Sequence, residues 1–143
     1  PPPAAAPQPQ QKADDDGSRG AVNISEDIRR ACGISEAEAK FDFDSARIRQ
    51  GDAPVLDRLV ECFTTGALAG RSMRLVGHAD PRGDEEYNLV LGGRRADAVK
   101  AYMTRAGLKD AQAQTTSRGE MDAEGTDEAS WARDRRVDVV LAQ

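Results

Sequence analysis

The chain reads as an α/β domain of the two-layer α+β sandwich kind, a small mixed sheet with helices packed on one face. Three observations lead there. Residues 40–46 (KFDFDSA) and 136–141 (RVDVVL) alternate apolar with acidic side chains, the period of a half-buried strand. Residues 52–65 place Val55, Leu56, Leu59, Val60 and Phe63 in one apolar stripe at helical spacing. A long helical stretch, 84–106, lies between an apolar strand at 71–79 and a weaker one at 111–117. The resulting βαβαββ order contains two strand–helix–strand passages, which place their helices on the same side of a sheet.

Length and charge narrow the class. A chain of 143 residues fits one domain, since domains run to roughly 100–200 residues. The net charge of -5 and the low aromatic content, 4%, argue against a nucleic-acid binder, which needs a basic face and stacking rings. No apolar run approaches the ~20 residues of a membrane-spanning helix. An exported protein of this kind would carry its leader and any lipid-bearing residue upstream of Pro1.

In chain order, residues 1–20 are a Pro/Ala/Gln-rich linker with nothing to bury, expected to be disordered, and Asp14-Asp15-Asp16 adds charge to it. Residues 21–37 are expected to form a helical extension. Its helix starts after Ser25 with Glu26 and Asp27 in the first turn, and a further turn covers Ser35 to Ala37. The domain proper spans 38–143. Its first helix stops at Thr64-Thr65-Gly66. The long helix opens on Asp84, Glu85 and Glu86 and stops at Gly107, with Tyr87, Leu91, Ala98, Val99, Tyr102, Met103 and Ala106 as its expected buried face. Gly93, inside that helix, costs up to ~1 kcal/mol against alanine. A short helical piece near Asp127 to Ala132 precedes the last strand.

The chemistry concentrates in GHADPRGDEEYNLVLGGRRADAV, residues 77–99. It reads as strand end, tight loop and helix, with Asp80 at the strand exit and Arg95 about three turns along the helix. A loop that folds back over the helix brings the two near. An acid and a guanidinium facing each other across a crevice can hold a zwitterion, the acid on an ammonium and the fork on a carboxylate. In isolation such a pair would be an ordinary salt bridge. His78, the one histidine, has no nucleophile beside it and is read as a hydrogen-bonded residue shaping the strand end. Asp44 ends the first strand, where it could cap the following turn. Cys32 and Cys62 are either two buried thiols or one disulfide tying the N-terminal segment to the first core helix. Two cysteines and one histidine do not close a metal site. Neither a nucleophile–base pair nor a zinc set is present, and Asp42 with Asp44 is too common a pairing to support glycoside chemistry. No catalysis and no cofactor are expected.

The same stretch resembles the OmpA-like peptidoglycan-binding domains, and within them the peptidoglycan-associated lipoproteins. The matching pieces are His78-Ala79-Asp80, Arg82-Gly83, Glu86-Tyr87-Asn88-Leu89, Leu91-Gly92, Arg94-Arg95-Ala96 and Val99. Ser117, Gly119-Glu120, Asp127-Glu128, Trp131-Ala132 and Arg135-Arg136-Val137 continue the pattern. The likeness covers roughly residues 38 to 143. It implies binding of the meso-diaminopimelate stem peptide of peptidoglycan, with Asp80 on the ammonium, Arg95 on the carboxylate, and Asn88, Asp44 and Arg135 beside them. Two positions depart from the family pattern. Ala79 stands for a frequent threonine. Asp134 stands for asparagine and adds a negative charge that could weaken Arg135 as an anion clamp.

The resemblance further implies a monomer at the periplasmic face of the outer membrane of a diderm bacterium. It would touch the membrane only through an upstream lipid anchor, and the Tol propeller protein would be a partner. The alternative it allows is an interaction domain of a secretion or motor complex, with wall binding secondary.

Overall fold

The computed structural model describes residues 19–35, 40–44 and 53–142. Five strands form one mixed sheet: β1 (Arg19–Ile24), β2 (Lys40–Asp44), β3 (Met73–His78), β4 (Ala113–Gly119) and β5 (Arg136–Leu141). Their spatial order is β2-β1-β5-β3-β4. β5 runs parallel to β1 and antiparallel to β3, while β2 is antiparallel to β1 and β4 parallel to β3. Among the described residues four α-helices accompany them: α1 (Glu26–Cys32), α2 (Ala53–Thr64), α3 (Glu85–Arg105) and α4 (Glu128–Asp134).

β1 is the element the sequence hid. Its residues were divided above between linker and helical extension, because only Val22 and Ile24 mark it and a low-complexity tail adjoins it. Pairing decides the matter. Val22 lies opposite Val137 and Ile24 opposite Val139, so both side chains enter a core already formed by β5. The helical extension therefore begins only at Glu26.

The core lies between the sheet and α1–α3. Ile28 of α1, Leu56, Leu59 and Phe63 of α2, and Ala96, Val99 and Met103 of α3 pack over Met73, Leu75, Val137 and Val139. The α2 stripe is the one the spacing predicts. The α3 stripe is not: its buried residues are Asn88, Leu91, Gly92, Arg95, Ala96, Val99 and Met103. Tyr87, Ala98 and Tyr102 are only half-buried and Ala106 is exposed. The helix is rotated from the purely apolar solution because two polar side chains, Asn88 and Arg95, are held inside.

What holds α3 at this rotation is a contact with no side chain in it. A Cβ on Gly77 of β3 would lie 1.7 Å from the Gly92 carbonyl oxygen, and a Cβ on Gly92 would lie 2.5 Å from Ser117 Oγ. Helix and strand meet backbone to backbone. Ser117 Oγ of β4 donates to the Leu89 carbonyl of α3 at 2.6 Å and fastens the helix to the second strand. Elsewhere the ends of α1 and α2 are joined by the Cys32–Cys62 disulfide, Cα atoms 5.6 Å apart, which settles the two alternatives left open by sequence. Gln112 Nε2 donates to the carbonyls of Phe63 and Arg71, both at 2.8 Å, and closes the α2–β3 connection.

Gly92→Ala should lower stability by at least ~1–3 kcal/mol through overpacking. Gly93→Ala should be neutral or raise it by ~0.5–1 kcal/mol, because its Cβ would meet only Ser117 Cβ at 3.9 Å. Urea unfolding of the two variants should therefore move the midpoint in opposite directions. Replacing both cysteines by serine releases a closure of 30 residues and should cost about 2–4 kcal/mol in the same assay; an unchanged midpoint would mean that the bond adds nothing to the fold.

Candidate functional site

β3 ends at a register shift between Gly77 and His78. Beyond it the Ala79 amide donates to the Gly119 carbonyl at 2.8 Å, and Asp80 follows with 0% exposure. A buried carboxylate is costly unless its charge is answered. Here Oδ1 accepts from the Arg82 amide at 3.1 Å and Arg82 Nε at 3.0 Å, and Oδ2 accepts from Arg82 Nη2 at 2.8 Å and Arg135 Nη1 at 2.9 Å. The amide contact is an Asx-type turn, in which an aspartate accepts from the backbone two residues on. Asp-Pro-Arg-Gly is composed for that turn, and this composition is the signal in the sequence that points to Arg82.

The two arginines around Asp80 are held differently. Arg135, only 3% exposed, follows α4 and gives its other nitrogen to Glu128 Oε2 at 2.7 Å. Arg82 lies over the Trp131 ring, 4.3 Å from its centroid. α4 thus supplies both Glu128 and Trp131, and its start is set by a capping box between Asp127 and Ser130.

Arg95 is fully buried, and its Nη1 donates to the His78 carbonyl at 3.0 Å. Arg95 and Asp80 are thereby anchored at the same strand exit, two residues apart along it. Asn88 ties the loop together: its Nδ2 lies 3.3 Å from the Asp80 carbonyl, 2.8 Å from that of Arg82 and 2.6 Å from Glu120 Oε1. Of the residues singled out by sequence, the fold brings Asp80, Arg95, Asn88 and Arg135 into one connected cluster. Asp44 ends β2 opposite Arg19 on the edge of the sheet; its side chain lies outside the described residues, as do those of Asp42, Phe41 and Phe43. His78 has the strand-end role expected of it. Its ring Nε2 lies 3.0 Å from Asp138 Oδ2 of β5, while its carbonyl receives Arg95.

Asp134, which precedes Arg135, is nearly buried. Its two carboxylate oxygens accept the Glu124 and Gly125 amides at 3.0 and 2.8 Å, so its charge organises the β4–α4 loop. Gly125 is needed there, since a Cβ would fall 2.7 Å from Asp134 Oδ2. Among the described residues no group of His, Cys, Asp or Glu is placed to hold a metal ion, and no helix is long and apolar enough to cross a membrane.

Burial pushes the Asp80 carboxyl up, but the Arg82 guanidinium and amide and the Arg135 guanidinium outweigh it and hold the group below the usual carboxylate range. Burial likewise raises Asp138, and the His78 and Arg136 side chains more than reverse it. What the cluster offers chemically is charge, a buried carboxylate and a buried guanidinium anchored at one strand exit.

The chain is similar to known proteins in sequence and in fold. The model of the OmpA family matches residues 40–137. The peptidoglycan-associated lipoprotein of Pseudomonas aeruginosa is 39% identical over 103 residues, 69% of this chain and 58% of the relative. That of Pasteurella multocida is 37% identical over 99 residues, covering 68% and 65%. The crystal structure of the peptidoglycan-associated lipoprotein from Burkholderia pseudomallei superposes with a TM-score of 0.63 at 38% identity, covering 71% of this chain and 86% of that one. The chain spans about three-fifths of the length of the curated relatives it matches.

Both lowered carboxyls predict an acid limb. A folded-state pKa below the unfolded value of ~3.9 contributes stability that is complete above that value and is lost as pH falls through the folded one. The thermal midpoint should hold as far as these groups are concerned down to about pH 5 and drop below about pH 4. Asp138→Asn should start from a lower plateau and drop less steeply in circular-dichroism melts; an equally steep fall would remove Asp138 from the account.

Proposed function

Because this chain belongs to the OmpA family, we propose that it is a non-catalytic wall-binding module for the diaminopimelate stem peptide of peptidoglycan. Diaminopimelate is a lysine with a carboxylate beside the distal amine, so a free amino-acid end projects from the wall. Asp80 takes its ammonium and Arg95 its carboxylate. The observation that carries this reading is the anchoring of a buried acid and a buried guanidinium at one strand exit, with Arg95 Nη1 on the carbonyl of His78, two residues before Asp80. Arg135 keeps Asp80 ionised and oriented, Asn88 holds the loop that presents it, and Asp44 closes the site from the β2 end. The names of the relatives support the ligand: they are peptidoglycan-associated lipoproteins.

In the whole protein, the module would tether the outer membrane to the wall from the periplasmic side, through a lipid anchor upstream and a spacer formed by residues 1–18. Many weak parallel contacts over the sacculus give the avidity that one site lacks. The Tol propeller protein is the protein partner this reading implies.

The test is co-sedimentation with purified diaminopimelate-type sacculi. Wild type should pellet with the wall, and Asp80→Ala and Arg95→Ala, checked for fold by circular dichroism, should stay in solution. Lysine-type sacculi lack the carboxylate. Losing one charge-assisted hydrogen bond of ~1.5–3 kcal/mol should weaken binding roughly ten- to hundred-fold. Wild type remaining in the supernatant with the first wall type would overturn the proposal.

A further inference from the structure

A carboxylate has about four lone-pair sites, and four donors already occupy those of Asp80. Arg82 Nε and Nη2 hold two of them as a fork, in the geometry an arginine adopts on a carboxylate. An incoming ammonium therefore finds a cation in its place. Among the donors, the Arg82 side chain is the one built to leave. It is 20% exposed, against 3% for Arg135, which is also held by Glu128. It springs from the bend at residues 81–83 and not from a helix or strand. Its own amide, at 3.1 Å, would keep Oδ1 in position after the guanidinium had gone. Its other hold is the Trp131 ring, a stacking contact where Arg135 has a second ion pair, and a weaker restraint on leaving.

We infer that Arg82 is a tethered competitor for the Asp80 cation site, and that ligand enters by exchange with it. This rests on the wall-binding reading above and adds selectivity to it. A simple amine offers Asp80 one ammonium and must displace a fork held beside it by the chain. An amino-acid end offers the ammonium to Asp80 and its carboxylate to Arg95 together, so it alone replaces what the exchange removes. Arg82 thus screens the site against amines that lack the second charge.

The probe is meso-diaminopimelate, titrated by calorimetry and by the fluorescence of Trp131, the single tryptophan of the chain. Arg82→Gln should bind at least fivefold more tightly than wild type. Titration should change Trp131 emission in wild type and leave it flat in Arg82→Gln, which has no guanidinium to move off the ring. Trp131→Leu, which keeps both charged groups and weakens only the stacking, should tighten binding by a smaller factor and stands in if Arg82→Gln does not fold. Binding by Arg82→Gln and none by wild type would support the exchange in a stronger form. Equal or weaker binding by both variants, with wild type still binding, would overturn the exchange and leave the wall-binding site standing. Binding by none of the three would remove both.

Discussion

A carboxylate with no exposure to water survives only if the chain brings positive charge to it, and much of this end of the molecule can be understood as meeting that demand for Asp80. One guanidinium comes from the adjacent loop and another from the entry to β5. Arg135 is itself buried, and it is answered by Glu128 at the start of α4. Arg82 is stabilised on the face of Trp131, one turn further along the same helix. The loop that carries Asp80 is in turn held by Asn88 of α3, through two carbonyls and Glu120. Loop, α3, α4 and β5 therefore share one set of charges. Removing one partner strands the others, the situation in which a buried ion becomes strongly destabilising.

This coupling explains which parts of the molecule could be read from the chain. α2 and β5 show their periods because each meets the core with one clean apolar face, and their bounds come out within a residue or two of the expectation. Asp80 and Arg95 stand out because an acid at a strand exit and an arginine on the next helix are chemically complementary. β1 escaped because its evidence is in its neighbours: Val22 and Ile24 mean little until Val137 and Val139 are seen opposite them. The buried face of α3 was misread for a related reason. Periodicity ranks residues by apolarity, and this helix buries Asn88 and Arg95 while leaving Tyr102 half outside, its hydroxyl on Asp57 at 2.9 Å. The partners of the site, Arg82, Glu120, Glu128 and Trp131, lie in loops and on α4; the resemblance includes all four but gives none of them a role.

Asp134 teaches a similar lesson about charge. By type it adds a negative group beside an arginine meant for an anion, and the sign alone suggests interference. In the fold its oxygens turn to two amides of the β4–α4 loop. What a charged residue does to its neighbour in sequence depends on where its own hydrogen bonds are satisfied, and that is a tertiary property.

The contact between Gly77 and Gly92 bears on how such a protein can change over time. Side chains usually set the distance between a helix and a sheet, so that distance drifts as the packing residues are exchanged. Here it is set by two peptide backbones in touch, and main-chain atoms do not mutate. The apolar layer farther along α3 can be repacked while the reach from the helix to the strand exit stays constant. The site keeps its calibration through sequence divergence that would loosen a side-chain-spaced pocket, and the freedom to vary falls on the core instead.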